Sequence, residues 1–235
     1  MTLHWKLPPE STSIIPFSLK YPVSAGWKSL GLSAVLAFFA AVLIVPIVVL
    51  WGYRYRISRA GARGDDRAPE LDDFGSIIWN GLLLIGAFLP YAVIAAISTF
   101  ALLPIAGLVE SPVPILFVIA WLISVTYAGL AIHPTFVATG SINDTYSGLL
   151  FLKVATTREY LVGFLIGFVL RLLVMMVTFL LFVVSIITLI GPFIVLTVWY
   201  AYDEFVPGAL WGHVAYKLSR KDILPPVEAE TNLDL

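Results

Sequence analysis

Long stretches of this chain carry almost no charged side chains, and they constrain its fold more than any other feature. Residues 74–109 contain no Asp, Glu, Lys or Arg, and residues 161–202 contain a single one, Arg171. A helix of about 20 apolar residues is enough to cross the ~30 Å hydrocarbon core of a bilayer. The first stretch therefore predicts a membrane crossing, and the second is long enough for two.

The composition agrees with a polytopic membrane protein. The chain is 60% hydrophobic and 12% charged, whereas soluble domains are about 45–50% apolar and about 25% charged. Its mean hydropathy is +0.95. A net charge of −1 does not indicate a nucleic-acid partner. The absence of cysteine excludes disulfides, thiolate metal sites and a cysteine nucleophile.

An arginine-rich stretch, residues 52–75, follows directly on an apolar run and sets the predicted orientation. It holds five of the 14 Lys and Arg residues of the chain. Lys and Arg accumulate on the cytoplasmic side of membrane helices. We therefore predict a protein of the cell membrane, with residues 52–75 and the C-terminus in the cytoplasm. The three N-terminal lysines, Lys6, Lys20 and Lys28, then lie outside and oppose this orientation.

Prolines and polar gaps divide the chain into three predicted parts. Residues 1–29 contain four prolines and predict an irregular lead at the membrane interface. Residues 30–220 predict the transmembrane domain, and residues 221–235 predict a polar, disordered tail. The predicted spans lie at about residues 30–51, 77–100, 115–132, 161–190 and 192–214.

The predicted fold class is therefore an all-α integral membrane protein, a bundle of five transmembrane helices. Pro46 is expected to kink the first span. The polar gap at residues 135–160 predicts a short interfacial helix that lies on the membrane surface. Five spans place the two ends of the chain on opposite sides. A re-entrant or sixth segment is the alternative, and it would place the N-terminus inside.

Several short motifs are spread along the chain from Pro46 to Tyr216. They are Pro46, Gly52-Tyr53-Arg54-Tyr55-Arg56, Pro69-Glu70-Leu71-Asp72-Asp73-Phe74-Gly75, Asn80-Gly81-Leu82, Gly191-Pro192-Phe193-Ile194, Gly212 and Tyr216. With these motifs the chain resembles an archaeal family of small polytopic membrane proteins, the domain of unknown function 4013. The resemblance extends over about residues 26–220, and it implies an all-helical membrane domain with no assigned activity or site residues. Asp203-Glu204 and Pro207-Gly208 depart from the uninterrupted last helix of that family.

Arg171, Asp203 and Glu204 form the candidate intramembrane polar site. A charged side chain at mid-span costs at least ~2.5–3.5 kcal/mol on insertion scales, so Arg171 requires a partner or a wet cavity. Counted from Gly191, Arg171 and Asp203 differ in depth by roughly 12 Å at 1.5 Å per residue. Three interpretations stay open: Arg171 snorkels to the interface, forms a structural ion pair, or belongs to a substrate or ion site.

A second candidate site is the arginine cluster of the loop, Arg54, Arg56, Arg59 and Arg63. Each cation near the surface contributes about 1 kcal/mol to binding of anionic lipid. The acidic run Asp65–Asp73 could bind a cation, but it is interleaved with Arg63 and Arg67, so we expect a solvated loop that neutralises its own charge. His133 and His213 match no metal-ligand spacing, and we expect them to be polar caps at the interface. No metal site and no cofactor are predicted.

Motifs of known enzymes are missing from the sequence. It contains no Gly-x-Ser-x-Gly, no His-Glu-x-x-His and no phosphate-binding glycine loop. We therefore expect a non-enzymatic scaffold or accessory subunit of a membrane assembly. The alternative is a small permease or channel-like transporter with Arg171, Asp203 and Glu204 along its path. The expected partners are the lipid bilayer and another membrane protein or further copies of the chain, with no nucleic acid.

Overall fold

The computed structural model describes residues 12–40, 43–107, 113–188 and 190–227. It is 84% helical, and no strand occurs among the described residues. Two short 3-10 turns, Pro22–Ala25 and Ser147–Leu149, separate some of the α-helices. The α-helices are α1 Ile14–Lys20, α2 Trp27–Ala40, α3 Ile44–Arg63, α4 Phe74–Gly107, α5 Val113–Leu130, α6 Ile132–Thr139, α7 Ile142–Tyr146, α8 Leu150–Ala155, α9 Arg158–Ser185 and α10 Gly191–Ser219.

Three helical stretches of the described residues are long and apolar enough to cross a membrane. They are Phe74–Pro104, Val113–Thr139 and Arg158–Ser185. The number rises to four if the bent pair Ile14–Ala25 and Trp27–Ala40, with 90° between its helices, forms one crossing. The structure thus confirms an all-helical protein with three to four candidate spans, and it does not confirm a bundle of five or six.

The first predicted span, residues 30–51, is not one helix. It is divided between α2 and α3, and Leu43 before α3 has an extended backbone. Pro46 lies in the first turn of α3, where the backbone N–H groups make no hydrogen bond within the helix. The missing N–H of proline therefore costs no helical hydrogen bond there, and Pro46 does not kink the middle of a helix. The start of α2 is held by the loop that follows α3, because the Leu71 amide donates to Ser29 Oγ at 3.1 Å. The two helices therefore run antiparallel.

Small side chains let α2 pack closely against its neighbours. Ser29, Ser33 and Ala37 recur every fourth residue and are the buried positions of this helix. Tyr53 of α3 donates its hydroxyl hydrogen to Pro69 O at 2.8 Å. Burial raises the pKa of the Tyr53 phenol, which keeps this donor protonated. The body of α3 is thereby joined to the loop of residues 64–73 that follows it.

Glycines set the closest helix crossings around α3. Gly52 lies against the backbone of Ile77 in α4, and Gly81 lies against the backbone of Val48 in α3. The earlier residue of α3, Val48, thus meets the later residue of α4, Gly81, so α3 and α4 are antiparallel. On another side of α3, Gly212 of α10 lies against the backbone of Ser58. Side chains at these positions would keep the backbones apart.

Two further antiparallel hairpins complete the fold. In the first, Tyr91 of α4 donates to Val125 O of α5 at 2.7 Å. In the second, Gly163 and Gly167 of α9 face Val214 and Leu210 of α10. In each hairpin, one helix begins and the other ends at the same end of the molecule. We call this end the polar end, and it consists of the second half of α3, α6 to α8, the start of α9 and the second half of α10.

Burial is concentrated at the polar end. Every residue from Ile132 to Ala138 is buried, and so are most of those from Phe205 to Leu218. Residues 135–160 were expected to contain a helix lying on the membrane surface. They contain most of α6, all of α7 and α8 and the start of α9. Phe151 and Val154 are buried in the core, whereas Leu149 and Leu152 are exposed. The segment is therefore helical and partly packed into the core, and its position on a membrane surface stays a prediction.

The described part of the N-terminal lead is helical and lies at the polar end. Tyr21 donates to Arg67 O at 3.1 Å, and Tyr202 donates to Leu19 O at 2.7 Å. The expectation of an irregular lead on the side opposite the arginine loop is therefore wrong for residues 14–25. Pro16 falls in the first turn of α1 and Pro22 begins a 3-10 turn, so both prolines fit short helices. The prediction of a disordered tail is wrong for residues 221–227, where Leu224 is buried in the core and the Ile223 amide donates to Leu218 O at 3.1 Å. The rest of the predicted tail, from residue 228 onward, lies outside the described residues.

Candidate functional site

Three helices bring their charged side chains together where α10 passes between α3 and α9. Arg54 Nη1 of α3 lies 3.0 Å from Glu204 Oε2, and Arg171 Nη2 of α9 lies 3.0 Å from Asp203 Oδ2. Successive residues of a helix point about 100° apart, so the two acidic residues reach different neighbours. Asp203 and Glu204 thus join α10 to two helices at once.

The two ion pairs differ in exposure. In the first, the side chains of Arg54 and Glu204 are 14% and 16% exposed. In the second, Arg171 is 70% exposed while Asp203 is only 10% exposed. A charge with little access to water depends on its partner, because removal of one partner leaves the other uncompensated. Arg54–Glu204 is therefore the pair that the fold encloses, and Arg171 approaches Asp203 from the surface.

The predicted depth difference between Arg171 and Asp203 is wrong. It assumed that the hairpin turns at Gly191, but α9 ends at Ser185 and α10 begins at Gly191. Arg171 lies 14 residues before the end of α9 and Asp203 lies 12 residues after the start of α10, so the two depths differ by roughly 3 Å at about 1.5 Å per residue. The helix register thus brings the two side chains together without a kink. α10 is also continuous across Pro207, so the departures from the family pattern do not interrupt it.

A buried polar contact lies beside the Arg54–Glu204 pair. His133 Nε2 of α6 lies 2.8 Å from Ser58 Oγ of α3, and both residues are fully buried. Ser58 Oγ donates its only hydrogen to Arg54 O, so this network assigns the donor role to Nε2 of the histidine. The expectation that His133 caps an interfacial helix end is therefore wrong. His213 is likewise fully buried, where its ring lies 5.1 Å from that of Phe17.

The predicted arginine cluster does not lie in a loop, because all four arginines belong to α3, and each has a separate partner. Arg56 lies 3.4 Å from Asp72 Oδ1, and Arg63 lies 2.8 Å from Asp65 Oδ2. Arg59 donates to Tyr55 Oη at 3.3 Å. With Arg54 on Glu204 of α10, three of the four arginines have carboxylate partners within the chain. Arg63–Asp65 and Arg67–Glu70 are pairs inside the arginine-rich stretch, as expected for a loop that neutralises its own charge. Their contact with anionic lipid stays a prediction.

The Arg54–Glu204 and Ser58–His133 contacts were not predicted from the sequence. Arg54 was expected at the lipid surface and Glu204 beside Arg171, since local spacing contains no signal for partners that are distant in the chain. One signal for a second partner was available in the sequence. The predicted fifth span contains two adjacent carboxylates, Asp203 and Glu204, but the predicted fourth span offers them only one arginine, Arg171. Among the described residues, no group of three or more His, Asp or Glu side chains is placed to hold a metal ion.

These features are those of an all-helical protein with three to four candidate membrane spans, in which two ion pairs join α10 to α3 and to α9. The family model described as a protein of unknown function (DUF4013) matches residues 35–183. The chain belongs to this family. The match includes α3 to α8 and almost all of α9, but it does not reach α10. No match was found among curated proteins or among solved structures.

Proposed function

We propose that this protein is a non-enzymatic scaffold or accessory subunit of a membrane assembly. One observation carries the proposal: the candidate spans are hardly buried by the rest of the chain. The buried share of their most apolar windows is 17%, 17% and 6% for α4, α5–α6 and α9. A transporter requires helices packed around a polar path. Here the spans instead present apolar faces to lipid or to the helices of a partner.

The distribution of positive charge supports a cytoplasmic position for the polar end. Each Lys and Arg of the described residues lies in or next to that end, except Arg171, which is inside α9. With the lead at the same end, Lys20 and Lys28 no longer oppose the positive-inside rule. We therefore place residues 52–75 and residues 217–227 in the cytoplasm.

Site-specific photo-crosslinking in native membranes tests the accessory role. A photoreactive side chain replaces Phe179 of α9 or Phe100 of α4, which are both exposed and apolar. We expect a discrete protein adduct from at least one of these positions, identified by mass spectrometry. The matched control places the same group at exposed Lys153 of the polar end. Adducts with lipid alone at both Phe179 and Phe100 would contradict a subunit that binds a partner through its spans.

The permease alternative is favoured by the Arg171–Asp203 pair, the described charge pair that involves a residue well inside a candidate span. Under our proposal this pair only ties α9 to α10. Arg171→Leu then lowers the free energy of unfolding by about 1–2 kcal/mol, because Asp203 loses a charged hydrogen-bond donor. The double variant Arg171→Leu/Asp203→Leu recovers most of this loss, as measured by unfolding in mixed detergent micelles.

Ion flux into proteoliposomes separates the two functions. If the protein is a permease that uses this site, the wild-type protein conducts ions or substrate. Arg171→Leu then abolishes the flux while the protein stays folded and monodisperse. Under the scaffold proposal, wild-type vesicles show no flux above that of protein-free vesicles. Flux that is sensitive to Arg171→Leu would therefore replace the scaffold proposal by the permease.

A further inference from the structure

A cavity at the polar end combines a strong positive charge with open access. It has a volume of about 690 Å³ and lies between the start of α9 and the end of α10. Four of its lining residues are the cations Arg158, Lys217, Arg220 and Lys221, and one is a carboxylate, Glu159. Glu159 pairs with Lys221. The other three cations have no carboxylate partner among the described residues, so the described lining of the cavity carries more positive than negative charge.

The same cavity has an apolar wall that continues onto the membrane-facing surface. Ile14, Val162 and Val214 line it together with the cations. Farther along α9, Leu165 and Phe168 are exposed and belong to a candidate span. The cavity therefore lies where the charged end of the protein meets the expected hydrocarbon layer. A ligand that fits both surfaces has an anionic head and an apolar chain.

We propose that this cavity binds the phosphate-ester headgroup of an anionic lipid. Arg158, Lys217 and Arg220 contact the phosphate, since Lys and Arg are the side chains that attract anionic headgroups at this depth. An acyl chain lies along Val162 and Leu165 of α9. This site is distinct from the predicted arginine cluster of residues 54–63, three of whose arginines already pair with carboxylates of the chain. It holds whether or not the protein is a scaffold.

Calorimetric titration of the full chain in a neutral detergent tests the site. The probes are dioctanoyl phosphatidylglycerol, dioctanoyl phosphatidylcholine and glycerol phosphate. We expect the anionic lipid to bind at least tenfold more tightly than the zwitterionic one, with an affinity that falls as salt is added. Arg158→Gln/Arg220→Gln should weaken this binding roughly 25-fold, since each cation contributes a factor of about five. The matched control, Lys28→Gln/Lys153→Gln, removes the same charge from exposed positions outside the cavity and should leave the affinity unchanged.

Each other outcome has a definite meaning. Equal binding of both lipids, or equal weakening by the two double variants, would overturn the site, because the attraction would then be unspecific. Binding of glycerol phosphate as tight as that of phosphatidylglycerol would overturn the lipid assignment and leave a site for soluble phosphate esters. A flux that depends on Arg171, which would overturn the scaffold proposal, has no bearing on this titration.

Discussion

Gly52→Ala is expected to destabilise the protein by about 3 kcal/mol, near the upper end of the range for overpacked cores. A Cβ atom at residue 52 would lie 1.8 Å from Ile77 O and 2.9 Å from the Gly81 amide nitrogen. Both neighbours belong to the backbone of α4, so no side chain can rotate away. The α3–α4 crossing has to open, and the contacts around Val48 and Gly81 are lost with it. Unfolding in mixed micelles measures the change.

Gly31→Ala is the matched control for this prediction. Gly31 lies within a helix, and a Cβ atom there meets no other atom within 4 Å. Alanine favours a helix over glycine by about 1 kcal/mol, so this variant should be neutral or slightly more stable. If both variants behaved alike, the close α3–α4 crossing would not exist.

Glu204→Gln is expected to lower the free energy of unfolding by about 3 kcal/mol. The substitution keeps the size of the side chain but leaves Arg54, which is 14% exposed, without its counter-charge. Removal of one partner of a buried ion pair costs about 3–5 kcal/mol, and the slight exposure of this pair favours the lower figure. Replacement of both partners, as in Arg54→Met/Glu204→Leu, should restore most of the stability, because no uncompensated charge then remains.

Asp72→Asn provides the comparison with an exposed pair. Asp72 is 68% exposed in its contact with Arg56, and Arg56 also donates to the backbone oxygen of Asp72 at 2.9 Å. The substitution should therefore cost less than ~1 kcal/mol. A loss as large as that of Glu204→Gln would show that net charge at the polar end, rather than burial of one pair, sets the stability. The same micelle titration measures both variants.

Local sequence patterns were sufficient for the class of the protein and for three of its long helices. The uncharged run of residues 74–109 lies largely in α4, and the apolar run of residues 161–190 lies largely in α9. Between them, the predicted span at residues 115–132 corresponds to α5. These features are readable because the bilayer imposes one requirement on every crossing segment, a sufficient length of apolar helix.

The hairpin between α2 and α3 could not be read in the same way. Residues 30–51 are as apolar as a continuous span, and hydropathy does not distinguish one crossing helix from two antiparallel arms. The break was decided by contacts between distant parts of the chain. The Ser29–Leu71 hydrogen bond and the Gly52–Ile77 approach hold the start of α2 and the body of α3 in place.

The sequence by itself determined a helical membrane protein, its family resemblance and an arginine-rich end. Only the tertiary structure decided which charges meet, that Glu204 belongs to Arg54 and that the lead lies beside the arginine loop. Composition and periodicity indicate whether each helix lies in lipid, in water or against other helices. The pairing of helices depends on glycine contacts and ion pairs between residues as far apart as 54 and 204, and no local pattern records those.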